Sequence, residues 1–199
     1  MKLFKTFLVL CIFCLHVPRV LAQTLERVDA WNLAYYGHLG VHPGVSISAD
    51  YFLNIKEELK GKKSKRIVKT WLAVPGVSYY HHFGNQNVFS VSTDFTRRRE
   101  NMAKRFYRSF GIGPKLIAGF NAGETFEVMD DGSIKKRNLA ASYHFAINTN
   151  YTIGMKFKSN KVASSLYMTL HSGWMFNYNR TLVPSINLEV GVKRALVKS

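Results

Sequence analysis

The sequence holds only two cysteines, Cys11 and Cys14, and both fall within its first 22 residues. Past that point disulfides and thiolate metal sites are excluded. An exported chain without disulfides must hold its fold another way, and a closed hydrogen-bonded sheet is one such way. Acidic residues are also scarce, 12 Asp and Glu against 28 Lys and Arg. Long apolar runs are missing too. Beyond the first segment nothing approaches the run of about 18 apolar residues that a transmembrane helix requires. A membrane-spanning barrel would show no such run, because its apolar residues alternate with polar ones. There is no linker, low-complexity tract or helix long enough for a crossover.

What is present begins with Lys2 and Lys5, an apolar run over residues 7–15, and then Val17, Pro18, Arg19, Val20, Leu21 and Ala22. This pattern predicts a secretory signal peptide over residues 1–22, cleaved after Ala22, with residues 23–199 as a single domain. A membrane anchor is the alternative, but the apolar run is too short to span. A lipoprotein would need a small-residue lipobox, and none precedes either cysteine. Cleavage removes Lys2, Lys5 and Arg19 and no acid, leaving 25 basic against 12 acidic residues, or +13. For an exported chain this excess argues against nucleic acid. It favours anionic lipid headgroups, lipopolysaccharide phosphates or cell-wall polymer. Basic turns that are merely solvated are the plainer alternative.

The clearest pattern is at residues 143–157, YHFAINTNYTIGMKF. Tyr143, Phe145, Ile147, Thr149, Tyr151, Ile153, Met155 and Phe157 share one parity; His144, Ala146, Asn148, Asn150, Thr152, Gly154 and Lys156 share the other. A strand with one greasy and one small polar face follows. The same alternation predicts strands at 30–41, 45–55, 68–83, 88–98, 164–178 and 182–196. Pro75 implies a bulge or bend in the third of these. Residues 56–66 (KEELKGKKSKR), 97–104 and 158–161 read as basic loops or turns. Residues 105–157 form a long hairpin about Asp131-Gly132, a strong turn signal. Each arm exceeds about 20 residues where a tilted spanning strand needs about 9–11. The hairpin is therefore expected to project, with Met129, Asp130, Asp131, Gly132 and Ser133 at its tip.

Eight strands with short connections predict an all-β, antiparallel, up-and-down closed β-barrel. Alternation alone does not say which face is outside. The middle of the polar face carries Ser, Gly, Asn, His and Tyr with few charges, most charges collect in turns, and aromatics gather toward strand ends. That favours a membrane-spanning barrel with a lipid-facing apolar band over a soluble lipocalin-like carrier. The polar face then becomes a lumen network of Asp50, Asp94, Arg98, Arg105, Lys115, His144, His171, Glu189 and Lys193, whose acids and bases should pair. A filled eight-stranded barrel leaves no wide channel.

With YYGHLGVHPGVSISADYFL near one end and INLEVGVKRAL near the other, residues 30–197 resemble small eight-stranded outer-membrane β-barrels of Gram-negative bacteria, the OmpX and OmpA-transmembrane-domain kind. The resemblance rests on pattern, not on a signature motif. It implies an outer-membrane location, contact with outer-membrane lipids and lipopolysaccharide, and insertion by the barrel assembly machinery. Such barrels usually finish on an aromatic residue; this chain reads Ala195-Leu196-Val197-Lys198-Ser199. With periplasmic termini, the turns near His42, Asn85, Asp131 and Asn177 face outward and the basic turns face the periplasm.

Chemistry is sparse. His38, His82, His144 and His171 share the polar face, but a metal site needs three or four at one level. Ser172 beside His171, or Asp94 and Glu189, are hydrolase candidates, but Ser172 and His171 have opposite parity. No cofactor or catalytic residue is expected. The leading expectation is a non-enzymatic barrel with a structural or surface-interaction role and an unidentified extracellular or cell-wall ligand. The alternatives are a lipid A- or phospholipid-modifying barrel enzyme and a soluble periplasmic lipid carrier.

Overall fold

The computed structural model describes residues 28–38, 42–60, 65–82, 86–121, 125–129, 132–137, 141–157, 164–178 and 181–196. The expected signal peptide, Asp130, Asp131 and the basic turn at 158–161 lie outside the described residues.

Within them the chain forms ten strands: β1 Val28–His38, β2 Gly44–Lys60, β3 Lys65–His82, β4 Gln86–Asn101, β5 Phe106–Asn121, β6 Thr125–Val128, β7 Ile134–Arg137, β8 Ala141–Lys156, β9 Ser164–Tyr178 and β10 Thr181–Ala195. Eight close into a barrel in the order β1-β2-β3-β4-β5-β8-β9-β10, each antiparallel to its neighbours. β1 closes the ring by pairing with both β2 and β10. Eight strands place both ends of the barrel's chain at one rim. The β2–β3, β4–β5 and β8–β9 connections share that rim, and the other connections lie at the opposite one.

The outward row Leu33–Ile47–Val77–Val91–Leu116–Phe145 runs across β1, β2, β3, β4, β5 and β8. The other way round, Leu33–Val192–Leu166–Met155 reaches β8 ten residues further along. That stagger means the strands tilt by roughly 40°. A 16-residue strand such as β5 then rises about 40 Å, beyond an apolar band of about 25 Å.

The apolar parity faces outward on every barrel strand. Leu33 and Leu116 are each 62% exposed, and Val91, Phe95, Phe110, Ile112, Ile153, Met168 and Val192 share that surface. The other parity is buried: Asn32, Asp50, Asp94, Thr96, Arg98, Lys115, Asn148, Asn150, Thr169, Asn187 and Glu189. The core is therefore the polar lumen. Leu72, fully buried, and Val28, Ala30 and Val68 supply apolar filling near the terminus rim.

Four expectations need correction. Residues 56–60 are strand, not loop: β2 and β3 stay paired from Lys56↔Lys69 to Lys60↔Lys65. Cross-strand ion pairs Glu57–Arg66 and Glu58–Lys69 offset the crowding of basic residues there. β4 likewise continues through Arg97 to Asn101, and the turn proper is 102–105. Pro75 makes no bulge. Its missing N–H leaves a gap in the β2–β3 ladder between Ser48↔Gly76 and Tyr51↔Ala73, while Pro75↔Thr93 stays in register with β4. The bulge lies at Phe52/Asn54 in β2, where Phe52 interrupts the alternation. Finally, the long hairpin is not one continuous pair of arms. β5 and β8 are barrel strands, and β6 and β7 form a separate two-stranded sheet.

Candidate functional site

The lumen holds three carboxylates and three amine or guanidinium groups within one polar column. At the level nearer the terminus rim stands Asp50, 1% exposed. It accepts from Arg98, from Lys193 Nζ at 2.6 Å and from Asn32 Nδ2 at 2.9 Å. The Arg98 guanidinium lies over the Tyr107 ring at 5.3 Å, and Lys193 Nζ lies over Tyr107 and Tyr167 at 5.8 and 5.7 Å. Alternation explains how these meet. Asn32, Asp50, Arg98 and Lys193 all lie on inward parity, and registers Asn32↔Lys193 and Ala30↔Asp50 bring β10, β1 and β2 to one height.

The next level is built on Glu189. Tyr167 donates to it at 2.5 Å, and His171 Nε2 lies 2.8 Å from its other oxygen. Lys115 Nζ donates to the Tyr36 hydroxyl at 2.5 Å and sits 4.8 Å from that ring's centroid. Tyr36 in turn meets the His171 ring edge-on at 5.9 Å. Asp94 faces Asn150, Lys115 and His171, and its Oδ1 has no hydrogen-bond partner. Three cations against three carboxylates leave the column close to neutral. Burial demands this, since an unpaired charge at low dielectric is costly.

Above this level, toward the rim opposite the termini, aromatic and imidazole rings stack. Tyr80 lies 5.8 Å from His38, and His42 stacks on His82 at 3.7 Å. His38 Nδ1 lies 3.1 Å from Asn187 Oδ1. Around the Glu189 level a lumen cavity of about 80 Å³ remains, bordered by Tyr36, Ser46, Asp94, Lys115, His171 and Glu189 among others, and a wider one of about 380 Å³ lies toward the terminus rim, bordered by Val68, Thr70, Arg98, Tyr107 and Lys193 among others. The inner cavity is too small for a lipid chain, and its polar side chains suit water.

Of the nine lumen residues expected from sequence, Asp50, Asp94, Arg98, Lys115, His171, Glu189 and Lys193 lie in this column. Arg105 does not; it is exposed in the 102–105 turn. His144 faces inward but stands opposite Ile117, away from the Glu189 level. His38 and His82 belong to the rim stack, so the polar-face histidines occupy three separate levels. Ser172 is exposed on the outer wall, and its hydroxyl cannot meet His171. Sequence reasoning missed Asn32, Tyr36, Tyr107 and Tyr167 as parts of the network. Their inward parity was legible, but a barrel tyrosine reads first as a girdle residue. Tyr107 also covers Gly154, its cross-strand partner, where a Cβ would overlap the ring.

At the hairpin, Gly132 carries φ +79°, and Met129 N donates to Ser133 O at 2.9 Å. Met129, Gly132 and Ser133 are exposed, as are Phe126, Val128 and Ile134. No family model and no curated protein matches this chain.

Proposed function

We propose that this chain is a non-enzymatic outer-membrane β-barrel of a Gram-negative cell envelope. Its lumen is a filled structural core, and its β6–β7 hairpin is presented for surface interaction. The observation that carries this reading is the inverted distribution of polarity. A continuous wall of Leu, Ile, Val, Phe and Trp faces out around a buried ionic interior. In water such a wall would be an aggregation surface far beyond ordinary apolar patches; in hydrocarbon it is the expected solvent-facing surface. A soluble lipid carrier would need the reverse, an apolar cavity.

With periplasmic termini, β6–β7 stands on the outer side, and its exposed Phe126, Val128 and Ile134 offer contact area to an extracellular or cell-wall ligand. Lipopolysaccharide and phospholipids are the surrounding partners, and the barrel assembly machinery the inserting one. The test is fractionation followed by electrophoresis of the detergent-extracted protein with and without boiling. Recovery in the outer membrane with a heat-dependent shift in mobility is expected. A water-soluble protein with one mobility would sink the reading.

The His171–Glu189 pair favours one second reading, an enzyme acting on lipid A or phospholipid. It predicts that His171→Ala and Asp94→Asn abolish a change in lipid A acylation that wild-type protein produces; no such change is expected.

A further inference from the structure

We propose that the outer wall of β4 and β5, at the terminus rim, binds the phosphate of one anionic glycerophospholipid between Arg99 and Arg108. This rests on the bilayer reading above and adds a specific lipid site to it.

Arg99 and Arg108 are direct cross-strand partners. Arg97, two residues from Arg99 on the same outward face, lies 5.6 Å from the Trp71 ring. Like charges directly opposite each other destabilise a sheet. Among the described residues no carboxylate lies within ion-pair distance of Arg99 or Arg108. Glu100, the adjacent acid, turns inward to Lys156 and Arg98, and Glu58 is taken by Lys69 at 2.5 Å.

Arg108 is also set inside the apolar surface. On its own strand it stands between Phe106 and Phe110, 59% and 57% exposed, and Ile153 faces it from β8. A guanidinium at that depth is stabilised by a phosphate, which accepts two parallel N–H bonds. A surface groove of about 470 Å³ is lined by the pair itself, with Phe106, Tyr151 and Ile153 on its apolar side and Lys104, Asn101 and Glu100, the last engaged by Lys156, on its polar side. The phosphate fits at the arginines, and the acyl chains follow the apolar wall. Lys104 and Arg105, both exposed in the turn below, disfavour a headgroup that carries an ammonium. The occupant is therefore a lipid with net negative charge, such as phosphatidylglycerol, in the leaflet at the terminus rim.

The experiment uses the detergent-folded protein, its folding checked by heat-dependent mobility, and native mass spectrometry. Phosphatidylglycerol, phosphatidylethanolamine and inorganic phosphate are the probes. Wild type is expected to retain phosphatidylglycerol at least about tenfold better than phosphatidylethanolamine, because the two offer the same phosphate and only the second brings an ammonium up to this cluster of cations. Arg99→Gln/Arg108→Gln should weaken phosphatidylglycerol retention at least about tenfold, the scale of a charge-assisted bidentate contact, and Arg194→Gln on β10 should leave it unchanged. A second reading of the same variants changes sign with the medium. In neutral micelles Arg108→Gln should raise the thermal midpoint by relieving repulsion; in phosphatidylglycerol micelles it should lower it. Equal retention by wild type and the double variant, or inorganic phosphate held as well as lipid, overturns the site while the barrel stands. A protein with no heat-dependent mobility overturns both.

Discussion

Asp50 is the residue whose surroundings leave least freedom. It receives Arg98 from β4, Lys193 from β10 and Asn32 from β1, so one carboxylate joins strands from both sides of the β1 seam. Asp50→Asn keeps the volume and leaves two buried cations facing a neutral amide. Breaking a buried pair by removing one partner costs about 3–5 kcal/mol. The urea midpoint of the folded barrel in micelles should fall accordingly. Replacing Asp50, Arg98 and Lys193 together by Leu, Met and Met should recover much of the loss, because no uncompensated charge then remains. A midpoint unchanged in Asp50→Asn would mean that the lumen is hydrated enough to screen the cations.

At the scale of elements, the β2–β3 extension shows what local charge patterning can hide. Residues 56–66, KEELKGKKSKR, look like a solvated loop because eight of their eleven residues are charged. Paired as strands, they set Arg66 against Glu57 with two bonds of 2.9 and 2.8 Å. The Arg66 hydrogen bonds hold the Glu57 carboxyl below its ordinary range. A depressed carboxylate pKa means that the pair's contribution is present above the ordinary glutamate pKa and is lost as pH falls through the lowered value. The Glu57 side-chain carboxyl resonance should therefore titrate at lower pH than a free glutamate and return to the ordinary range in Arg66→Ala. A Glu57 midpoint identical in both proteins would show that the two side chains do not pair in solution. The β5–β8 and β6–β7 segments teach a similar lesson. Alternation runs on through residues 105–157, but their cross-strand sums differ by one residue: Phe120↔Ala141 in the barrel, Thr125↔Arg137 beyond it. That break separates the small sheet from the wall.

For the whole molecule the deciding property is the solvent of the outer wall. Ile112 lies near the middle of β5, half exposed, flanked by Phe95 and Thr149. If hydrocarbon surrounds it, Ile112→Arg should cost about 2–4 kcal/mol. If water does, a change at so exposed a position should stay within about 0.5 kcal/mol. Equilibrium folding into vesicles of neutral phospholipid distinguishes the two, and a cost near zero would count against a membrane-embedded wall.

How much was readable beforehand follows from how far apart the interacting residues are. Alternation in a strand is a local consequence of backbone pleating, so the two parities and the shared polar face of Asp50, Lys115 and Glu189 were legible one segment at a time, and eight such segments with short connections pointed to the antiparallel barrel. Arg105 was misplaced because parity alone cannot tell where a strand yields to a turn. The 56–60 extension was missed because its stabilising partners lie on the next strand. The joining of Asp50 to Arg98 and Lys193, the ten-residue stagger around the ring and the facing of Arg99 with Arg108 depend on register and closure between segments as distant as Ala30 and Ala195. The chain's own pattern thus determined which side chains share a face. Only the closed barrel decided which face meets the surroundings and which charges meet each other, because those depend on pairings that no single strand contains.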